Sequence, residues 1–227
     1  MARSMRNLRL ACAIGAVVLA TLAAGRAPGR SHHGQTDHTA GEFDYYLLSL
    51  SWSPAYCLDS PTSSQCNGSR AYGFVVHGLW PQNERGWPER CATTRVPEAV
   101  ATGMLDLMPA RGLIYHEWST HGTCSGLEPA DYFRLVRTAR ATIKVPEEFA
   151  RPGATVEREP RAVAESFLRA NPRLGPDSII VDCSGGNAPR LREVRICLDR
   201  DLAPRACGDD ARRASCRAPS VIVPPVR

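Results

Sequence analysis

The spacing of apolar residues along the chain predicts four β-strands. Residues 48–53 alternate apolar side chains with serines, and Pro54 ends this pattern, which is typical of a half-buried strand. Residues 72–76 are apolar at almost every position, as in a central strand buried on both faces, and a glycine and a proline soon interrupt the pattern. Two later segments, residues 178–183 and 191–199, complete the set.

Three segments have the apolar spacing of helices. They are residues 97–108, 130–143 and 161–170, and an asparagine and a proline close the last of them. No internal repeat is visible, and strands do not alternate regularly with helices as they do around a parallel sheet. The order of elements therefore predicts an α+β fold in a single domain that spans residues 43–227.

The N-terminal residues have the composition of a secretory signal. Three arginines within residues 1–9 precede an apolar run that ends in small residues near Ala24. Because this run is short for a membrane span, we expect residues 1–25 to be removed, with no stable membrane association afterwards; an uncleaved anchor is the alternative. Residues 26–42 are polar and contain three histidines, which predicts a flexible leader, with a loose metal site as the alternative.

Charge and cysteine content narrow the possible compartments. The net charge is +5, and loss of the three signal arginines leaves about +2, which gives little support for a polyanion-binding surface. Nine cysteines become eight because Cys12 lies in the signal. Eight cysteines in an exported chain indicate four disulfides in an oxidising compartment, although 105 pairings are possible. We therefore expect a secreted or periplasmic protein.

The candidate chemistry is concentrated in two short segments, HGLWP at residues 77–81 and HEWSTHGTC at residues 116–124. If the second segment is helical, Glu117 and His121 are four residues apart and share a face, so the carboxylate is expected to orient and charge the imidazole. Folding must bring His77 to the same cavity. Two imidazoles that titrate near ~6.5 suit general acid–base catalysis, since one takes a proton while the other donates one.

Other chemistries remain open at these residues. Each histidine alone is also compatible with a hydrogen-bonded core position. His116 and His121 are five residues apart, which separates them by about 140° on a helix and fails the His-Glu-x-x-His zinc template. A different metal site with His77 as third ligand is an alternative, and so is a Cys124 nucleophile, although a disulfide is the expected state of that cysteine.

The two segments resemble the active-site motifs of the ribonuclease T2 family. Residues 50–57, 193–199 and 220–224 are similar to strands of that family, and the resemblance covers residues 43–224. It implies an α+β fold around an antiparallel sheet and catalysis without a metal. We separately expect a monomer that needs no cofactor. The resemblance also implies endonucleolytic cleavage of single-stranded RNA by transphosphorylation, which leaves 2′,3′-cyclic phosphate ends and spares DNA.

The resemblance implies a role for each residue of the motifs. His121 is expected to be the general base on the 2′-hydroxyl and His77 the general acid, although the two roles can be exchanged. Glu117 is expected to tune His121 and stabilise the transition state, and His116 to contact phosphate. Trp80 is expected to stack on a base, with simple core packing as the alternative.

Two positions depart from the family pattern. Thr120 stands where lysine is common, so a positive charge that would face the phosphorane is missing, and Arg85 or Arg90 is a possible replacement. Gln82 stands where many relatives have an acidic residue that contacts the base, which leaves base preference open. The loss of the lysine also motivates an alternative function, a non-catalytic RNA-binding or defence protein.

The resemblance also implies the disulfide pairing. The expected bonds are Cys91–Cys124, Cys183–Cys216 and Cys197–Cys207, with Cys57–Cys66 as the remaining pair.

Overall fold

The computed structural model describes residues 38–227; the predicted signal segment and most of the predicted leader lie outside this range. Within it the strands are β1 Tyr45–Trp52, β2 Phe74–Gln82, β3 Val156–Arg158, β4 Ile179–Cys183, β5 Leu191–Leu198 and β6 Val221–Val223. The α-helices are α1 Ser53–Asp59, α2 Glu98–Thr102, α3 Arg111–Thr120, α4 Pro129–Ala141, α5 Pro160–Ala170 and α6 Asp209–Arg212. Short 3₁₀ helices occur at Gly122–Ser125, Glu147–Phe149 and Pro176–Ser178.

The strands form an antiparallel four-stranded sheet in the order β2-β1-β5-β4, and β3 pairs with β6 in a separate two-stranded sheet. Helices pack against the larger sheet, so the predicted α+β class and the antiparallel sheet are confirmed. The predicted strands at residues 178–183 and 191–199 correspond to β4 and β5 within one residue at each end.

The first strand differs from its prediction. It begins at Tyr45, three residues earlier than the alternating pattern indicates, and it is buried on both faces. Leu48, Leu50 and Trp52 enter the main hydrophobic core, as expected. The opposite face is not solvated, however, because Ser49 is fully buried. The alternation in the sequence therefore distinguishes the face with Leu48, Leu50 and Trp52 from the face with the serines, but both faces are buried.

The second strand also differs from its prediction. β2 continues through the HGLWP segment to Gln82 instead of ending before the glycine and proline. It lies at an edge of the sheet and not at its centre. Proline is tolerated at an edge strand because its missing N–H does not remove a bond to a second neighbour. The first motif is therefore part of the sheet.

Two of the predicted helices are confirmed within one or two residues at each end, and the third is wrong in length. α4 and α5 match residues 130–143 and 161–170. The predicted helix at 97–108 is reduced to the five residues of α2, which ends before Gly103, a residue with low helix propensity. The second motif is helical, as expected, up to Thr120 in α3. No helix within residues 38–227 is long and apolar enough to cross a membrane.

Helices α3 and α4 hold the second motif against β2. The hydroxyl of Tyr132 in α4 donates a hydrogen bond to the Leu79 carbonyl oxygen of β2 at 2.8 Å. Trp118 in α3 packs edge-on against Tyr132, with ring centroids 5.6 Å apart. Because Trp118 directly follows Glu117, this packing fixes the helix face that carries the carboxylate.

All four disulfide pairings implied by the resemblance are confirmed. The bonds are Cys57–Cys66, Cys91–Cys124, Cys183–Cys216 and Cys197–Cys207. The Cys91–Cys124 bond joins the segment before α2 to the 3₁₀ helix that follows α3. It therefore constrains the chain on the C-terminal side of the second motif.

Ordered contacts begin slightly before the predicted domain boundary at residue 43. The Glu42 N–H donates to the Thr39 carbonyl oxygen at 3.1 Å, and the Gly41 N–H donates to the Cys124 carbonyl oxygen at 2.9 Å. The last residues of the predicted leader are thus part of the folded unit.

Candidate active site

His77 occupies an irregularity in the sheet. Ser49 of β1 pairs with Gly78, and Leu50 pairs with Val76, so His77 is an extra residue in β2 without a partner on β1. Such a bulge bends the strand and redirects its side chain. The His77 side chain is 34% exposed, while both residues before it are buried. The bulge thus presents an imidazole on an otherwise covered surface.

Two carboxylates face the His77 ring. Nδ1 lies 2.5 Å from Oε1 of Glu193, and Nε2 lies 3.4 Å from Oε1 of Glu117. Burial alone would lower the pKa of His77, but the hydrogen bond and charge of Glu193, with the charge of Glu117, raise it above its usual value. His77 is therefore stabilised in its protonated form.

Glu117 is buried against the first motif. The Trp80 Nε1–H donates to Oε2 of Glu117 at 2.6 Å. Burial raises the pKa of Glu117 to about 7, against the opposing effects of the His77 charge and the Trp80 hydrogen bond. A Cβ atom on Gly78 would lie 2.1 Å from this Oε2 and 2.3 Å from Trp80 Nε1. Glycine at position 78 therefore leaves the space in which the Trp80–Glu117 bond forms.

His121 lies where α3 ends. Its N–H donates to the Glu117 carbonyl oxygen at 3.0 Å, and its own carbonyl accepts from the Cys124 N–H at 2.9 Å. Burial lowers the pKa of His121 to about 4. Its Nδ1 is buried and has no hydrogen-bond partner in the described part of the chain. His121 is therefore stabilised as a neutral imidazole, the opposite of His77.

Trp80 connects the two histidines. Its ring centroid lies 5.2 Å from that of His77 and 5.2 Å from that of His121. The His77 charge also contributes to the lowered pKa of His121, as expected for neighbouring imidazoles. The two motifs thus converge on one site, as the sequence predicts. The Arg195 guanidinium also lies over the Trp80 ring, 5.4 Å from its centroid. Trp80 therefore contacts charged or titratable groups from three parts of the chain.

One predicted contact is wrong. Glu117 was expected to orient and charge His121, because the two residues are four apart in a helix. α3 ends at Thr120, and the Glu117 carboxylate forms its ion pair with His77 and its hydrogen bond with Trp80. It forms no ion pair with His121, which lies in the same described range. Helical spacing identified the residue but not its partner.

The remaining predicted residues are placed as follows. Gln82 is buried and donates from Nε2 to the Pro81 carbonyl oxygen at 3.0 Å. Thr120 is 6% exposed, and its hydroxyl has no hydrogen-bond partner among residues 38–227, so it offers no exposed donor to a substrate. His116 is exposed on α3, and its positive charge contributes to the low pKa of His121.

Sequence reasoning missed the polar residues that β5 supplies. The Arg195 Nε–H donates to Oε2 of Glu193 at 2.7 Å, and Nη2 donates to Oδ2 of Asp182 in β4 at 3.1 Å. Glu193 is 3% exposed, and its pKa is lowered to about 2 because His77 and Arg195 outweigh the effect of burial. The available signal was that Glu193 and Arg195 alternate with apolar residues in a strand, a pattern that is equally typical of a face exposed to solvent.

Two cavities flank the histidines. A cavity of about 300 Å³ beside His77 is lined by Glu193 and by Tyr56, Gln65 and Arg190, among others. A second cavity, of about 330 Å³, lies beside His121. Its other lining residues include Trp80, Gln82, Trp87, Glu89 and Arg195. Trp87 is 48% exposed, which leaves part of its ring open to a ligand. A ligand that filled both cavities would place its central group next to the two histidines, which could then exchange protons with it.

Within residues 38–227, no group of three or more histidine, cysteine, aspartate or glutamate side chains has an arrangement that could hold a metal ion.

Comparisons with known proteins identify the family and agree with the fold. Residues 43–207 match the model of the ribonuclease T2 family. A protein named "Ribonuclease" from Aeromonas hydrophila is 36% identical over 209 residues, which cover 88% of this chain and 94% of that protein. An RNase-related protein from Calystegia sepium has a similar fold, with a TM-score of 0.66 at 22% identity over 82% of this chain and 99% of its own. The structure of RNase NT in complex with 5′-AMP has a TM-score of 0.60 at 20% identity, and the match covers 81% of this chain and 99% of that chain.

Proposed function

This chain belongs to the ribonuclease T2 family and is an endoribonuclease, and we propose that it cleaves single-stranded RNA by transphosphorylation, with His121 as general base and His77 as general acid. The observation that carries the mechanism is the contrast between the surroundings of the two imidazoles, with two carboxylates at His77 and a buried, unpartnered Nδ1 at His121 within residues 38–227. Burial lowers the pKa of His121 to about 4, while Glu193 and Glu117 raise the pKa of His77. In mildly acidic solution the neutral His121 ring can therefore accept a proton while the His77 ring holds one.

The proposed reaction balances its protons between the two rings. His121 takes the proton of the ribose 2′-hydroxyl, and the 2′-oxygen forms a bond to the adjacent phosphorus. The bond from phosphorus to the 5′-oxygen breaks, and His77 donates its Nε2 proton to that leaving oxygen. The products are a 2′,3′-cyclic phosphate and a 5′-hydroxyl. DNA lacks the nucleophilic hydroxyl and is not cleaved.

Glu117 acts on the phosphoryl group in this proposal. Because its pKa is raised to about 7, a large fraction of the carboxyl groups is neutral in mildly acidic solution. A neutral carboxyl donates a hydrogen bond to a phosphoryl oxygen as negative charge develops there, while the Trp80 N–H holds its other oxygen. Without RNA, the charged form of Glu117 pairs with His77. When a phosphate group enters the site, its negative charge favours the neutral form, because a charged carboxylate would repel it.

The two flanking cavities accommodate the nucleosides on either side of the cleaved bond. Trp80 and the partly exposed Trp87 line the cavity beside His121, and stacking on such rings contributes about 1–3 kcal/mol per base. The second cavity lies beside His77, the proposed acid, and receives the leaving nucleoside. Occupation of both cavities favours cleavage within an RNA chain.

We further propose that the enzyme acts as an exported monomer, in the periplasm or outside the cell. Four disulfides in the described part of the chain are typical of an oxidising compartment, and residues 1–25 have the composition of a cleaved signal. All the proposed catalytic residues lie in one folded unit. Fractionation of the producing cells and size-exclusion chromatography test these two points.

The function is tested by digestion of a short single-stranded RNA in EDTA over pH 4 to 8, with mass spectrometry of the products. We expect cyclic phosphate ends from the wild type, no cleavage of an oligonucleotide with 2′-deoxyribose at the scissile position, and loss of most activity in His77→Ala and His121→Ala. Intact RNA with disulfide-verified wild type would support a non-catalytic RNA-binding protein instead. Activity only after a metal is restored would overturn the metal-independent mechanism.

A further inference from the structure

We propose that Glu193 is a positioning residue for this reaction: its carboxylate holds the Nδ1–H of His77 and thereby directs Nε2–H toward the leaving oxygen. The proposal rests on the proposed function, because it assigns the acid role to His77. Glu193 does not reach the reacting atoms itself. It acts through the imidazole to which it is bonded at 2.5 Å.

The sheet explains how a residue on β5 reaches a histidine on β2. The strand between them is β1, in which Ser51 is paired with Glu193 on one side and Val75 on the other, and Ser49 is paired with Arg195 and Gly78. Directly opposed residues share a face of the sheet. Because the β1 residues on this face are serines, the Glu193 side chain extends across the strand and meets His77 at the bulge.

Both oxygens of the Glu193 carboxylate are fixed. Oε1 is bonded to His77, and Oε2 accepts the Arg195 Nε–H at 2.7 Å. Arg195 is held in turn by Asp182 at 3.1 Å, on the strand beyond. Asp182 is also the direct cross-strand partner of Glu193. The chain Asp182–Arg195–Glu193–His77 therefore crosses the whole width of the sheet and leaves the imidazole little rotational freedom.

The charges around His77 favour the imidazolium. Glu193 from β5 and Glu117 from α3 stabilise its positive charge, while the Arg195 guanidinium opposes it. Three more charged side chains line the cavity next to the ring: Asp59, Arg190 and Arg192. Asp59 and Arg190 form an ion pair with each other at 2.5 Å, so they partly cancel. Glu193 is thus the dominant partner of the ring by distance and burial.

The specific role of Glu193 is to determine which ring nitrogen of neutral His77 keeps its proton. When His77 gives its Nε2 proton to the 5′-oxygen, the neutral ring keeps its Nδ1 proton, which continues to donate to Glu193. The ring is left with a free Nε2 lone pair, oriented to take a proton from water when the cyclic phosphate is hydrolysed. Without Glu193 the neutral ring can adopt the other tautomer, which cannot do this.

The test compares two substrates. Cleavage of a dinucleotide needs a protonated leaving oxygen, whereas uridine 3′-(4-nitrophenyl phosphate) releases a stable phenolate that needs no acid. A positioned general acid contributes about 10²–10⁴-fold to the rate, and Glu193→Gln should remove part of this. We therefore expect kcat on the dinucleotide to fall about 10–100-fold, with little change in KM. We also expect the alkaline limb of the pH profile to move to lower pH. The aryl phosphate should be cleaved at nearly the wild-type rate.

The matched control is Glu165→Gln, since Glu165 also binds an arginine, Arg161 at 2.8 Å, but lies on the surface of α5. It should leave both substrates and the pH profile unchanged. An equal loss on both substrates in Glu193→Gln, or an unmoved alkaline limb, would show that Glu193 only supports the fold.

A measurement on the wild type covers the case in which the variant does not fold. In protein with ¹⁵N-labelled histidines, neutral His77 should carry its proton on Nδ1, and an Nε2–H tautomer would overturn the proposal. This readout needs no activity. If wild-type protein cleaves neither substrate, the proposed function fails, whereas the tautomer still reports on Glu193.

Discussion

The sharpest test of the site geometry is a single methyl group at Gly78. This residue does not have a positive φ, so alanine is compatible with its backbone. Only the surroundings oppose the substitution, because the added Cβ would lie 2.1 Å from Oε2 of Glu117 and 2.3 Å from Nε1 of Trp80. Gly78→Ala therefore pushes apart the two groups that form the buried hydrogen bond of the site.

The magnitude follows from the size of the displacement. A carbon atom packs at about 3.5 Å or more from its neighbours, so the carboxylate or the indole must retreat by more than 1 Å. The hydrogen bond between them then breaks, and a bond to a charged group contributes about 1.5–3 kcal/mol. With the strain of overpacking, Gly78→Ala should lower the free energy of unfolding by about 2–4 kcal/mol. Glu117 is the residue proposed to bind the phosphoryl group, so a displacement of this size should reduce kcat/KM by about 100-fold or more.

The assay is kcat/KM on a dinucleotide together with urea unfolding under conditions that keep the disulfides intact. Gly112→Ala is the matched control, since Gly112 lies near the start of α3 with no atom within 4 Å of an added Cβ. It should keep full activity and gain about 0.5–1 kcal/mol, as alanine is the better helix former. Near-normal activity in Gly78→Ala would refute the placement of Trp80 and Glu117 over this glycine.

Two further predictions concern His121 and the residue before it. The pKa of His121 is about 4 in the folded protein and ~6.5 when unfolded, so protons favour the unfolded state, and stability is lost as the pH falls from 6.5 to 4. Between pH 7 and pH 4.5, urea unfolding should show about 2–3 kcal/mol more loss for the wild type than for His121→Gln; equal losses would contradict the assigned pKa. Thr120→Lys should move the acid limb of kcat/KM to lower pH, because it adds a cation beside His121; it should also lower stability, since Thr120 is buried. An acid limb that stays in place would mean that the ammonium group points away from the imidazole.

The local features of the fold were predictable because short-range patterns determine them. The spacing of apolar residues located α4, α5, β4 and β5 within one or two residues. The prediction for β2 was wrong because a glycine and a proline in an edge strand produce the same pattern as a turn. The prediction for β1 was wrong about exposure, because serines that face a polar network and serines that face water have the same sequence pattern.

The composition of the site was partly predictable, but its internal contacts were not. The two motifs contain His77, Trp80, Glu117 and His121, and their meeting in space followed from the resemblance. The pairing of Glu117 with His77 depends on where α3 ends and on how the helix packs against β2. Glu193 is 116 residues from His77 in the chain, and only the strand order places the two side chains together.

The contrast between the histidines also bears on the threonine at position 120. His121 loses basicity through burial and has no carboxylate bonded to it within residues 38–227, whereas His77 gains basicity from two carboxylates. A lysine at position 120 would favour the phosphorane but would lower the pKa of the neighbouring base still further. With Thr120, the pKa of His121 is not lowered further. The positive charge that faces the phosphate then comes from the His77 imidazolium and nearby arginines alone. Arg195 contributes little of that charge, because Glu193 and Asp182 neutralise it, so the site depends on a protonated His77 for both charge and proton.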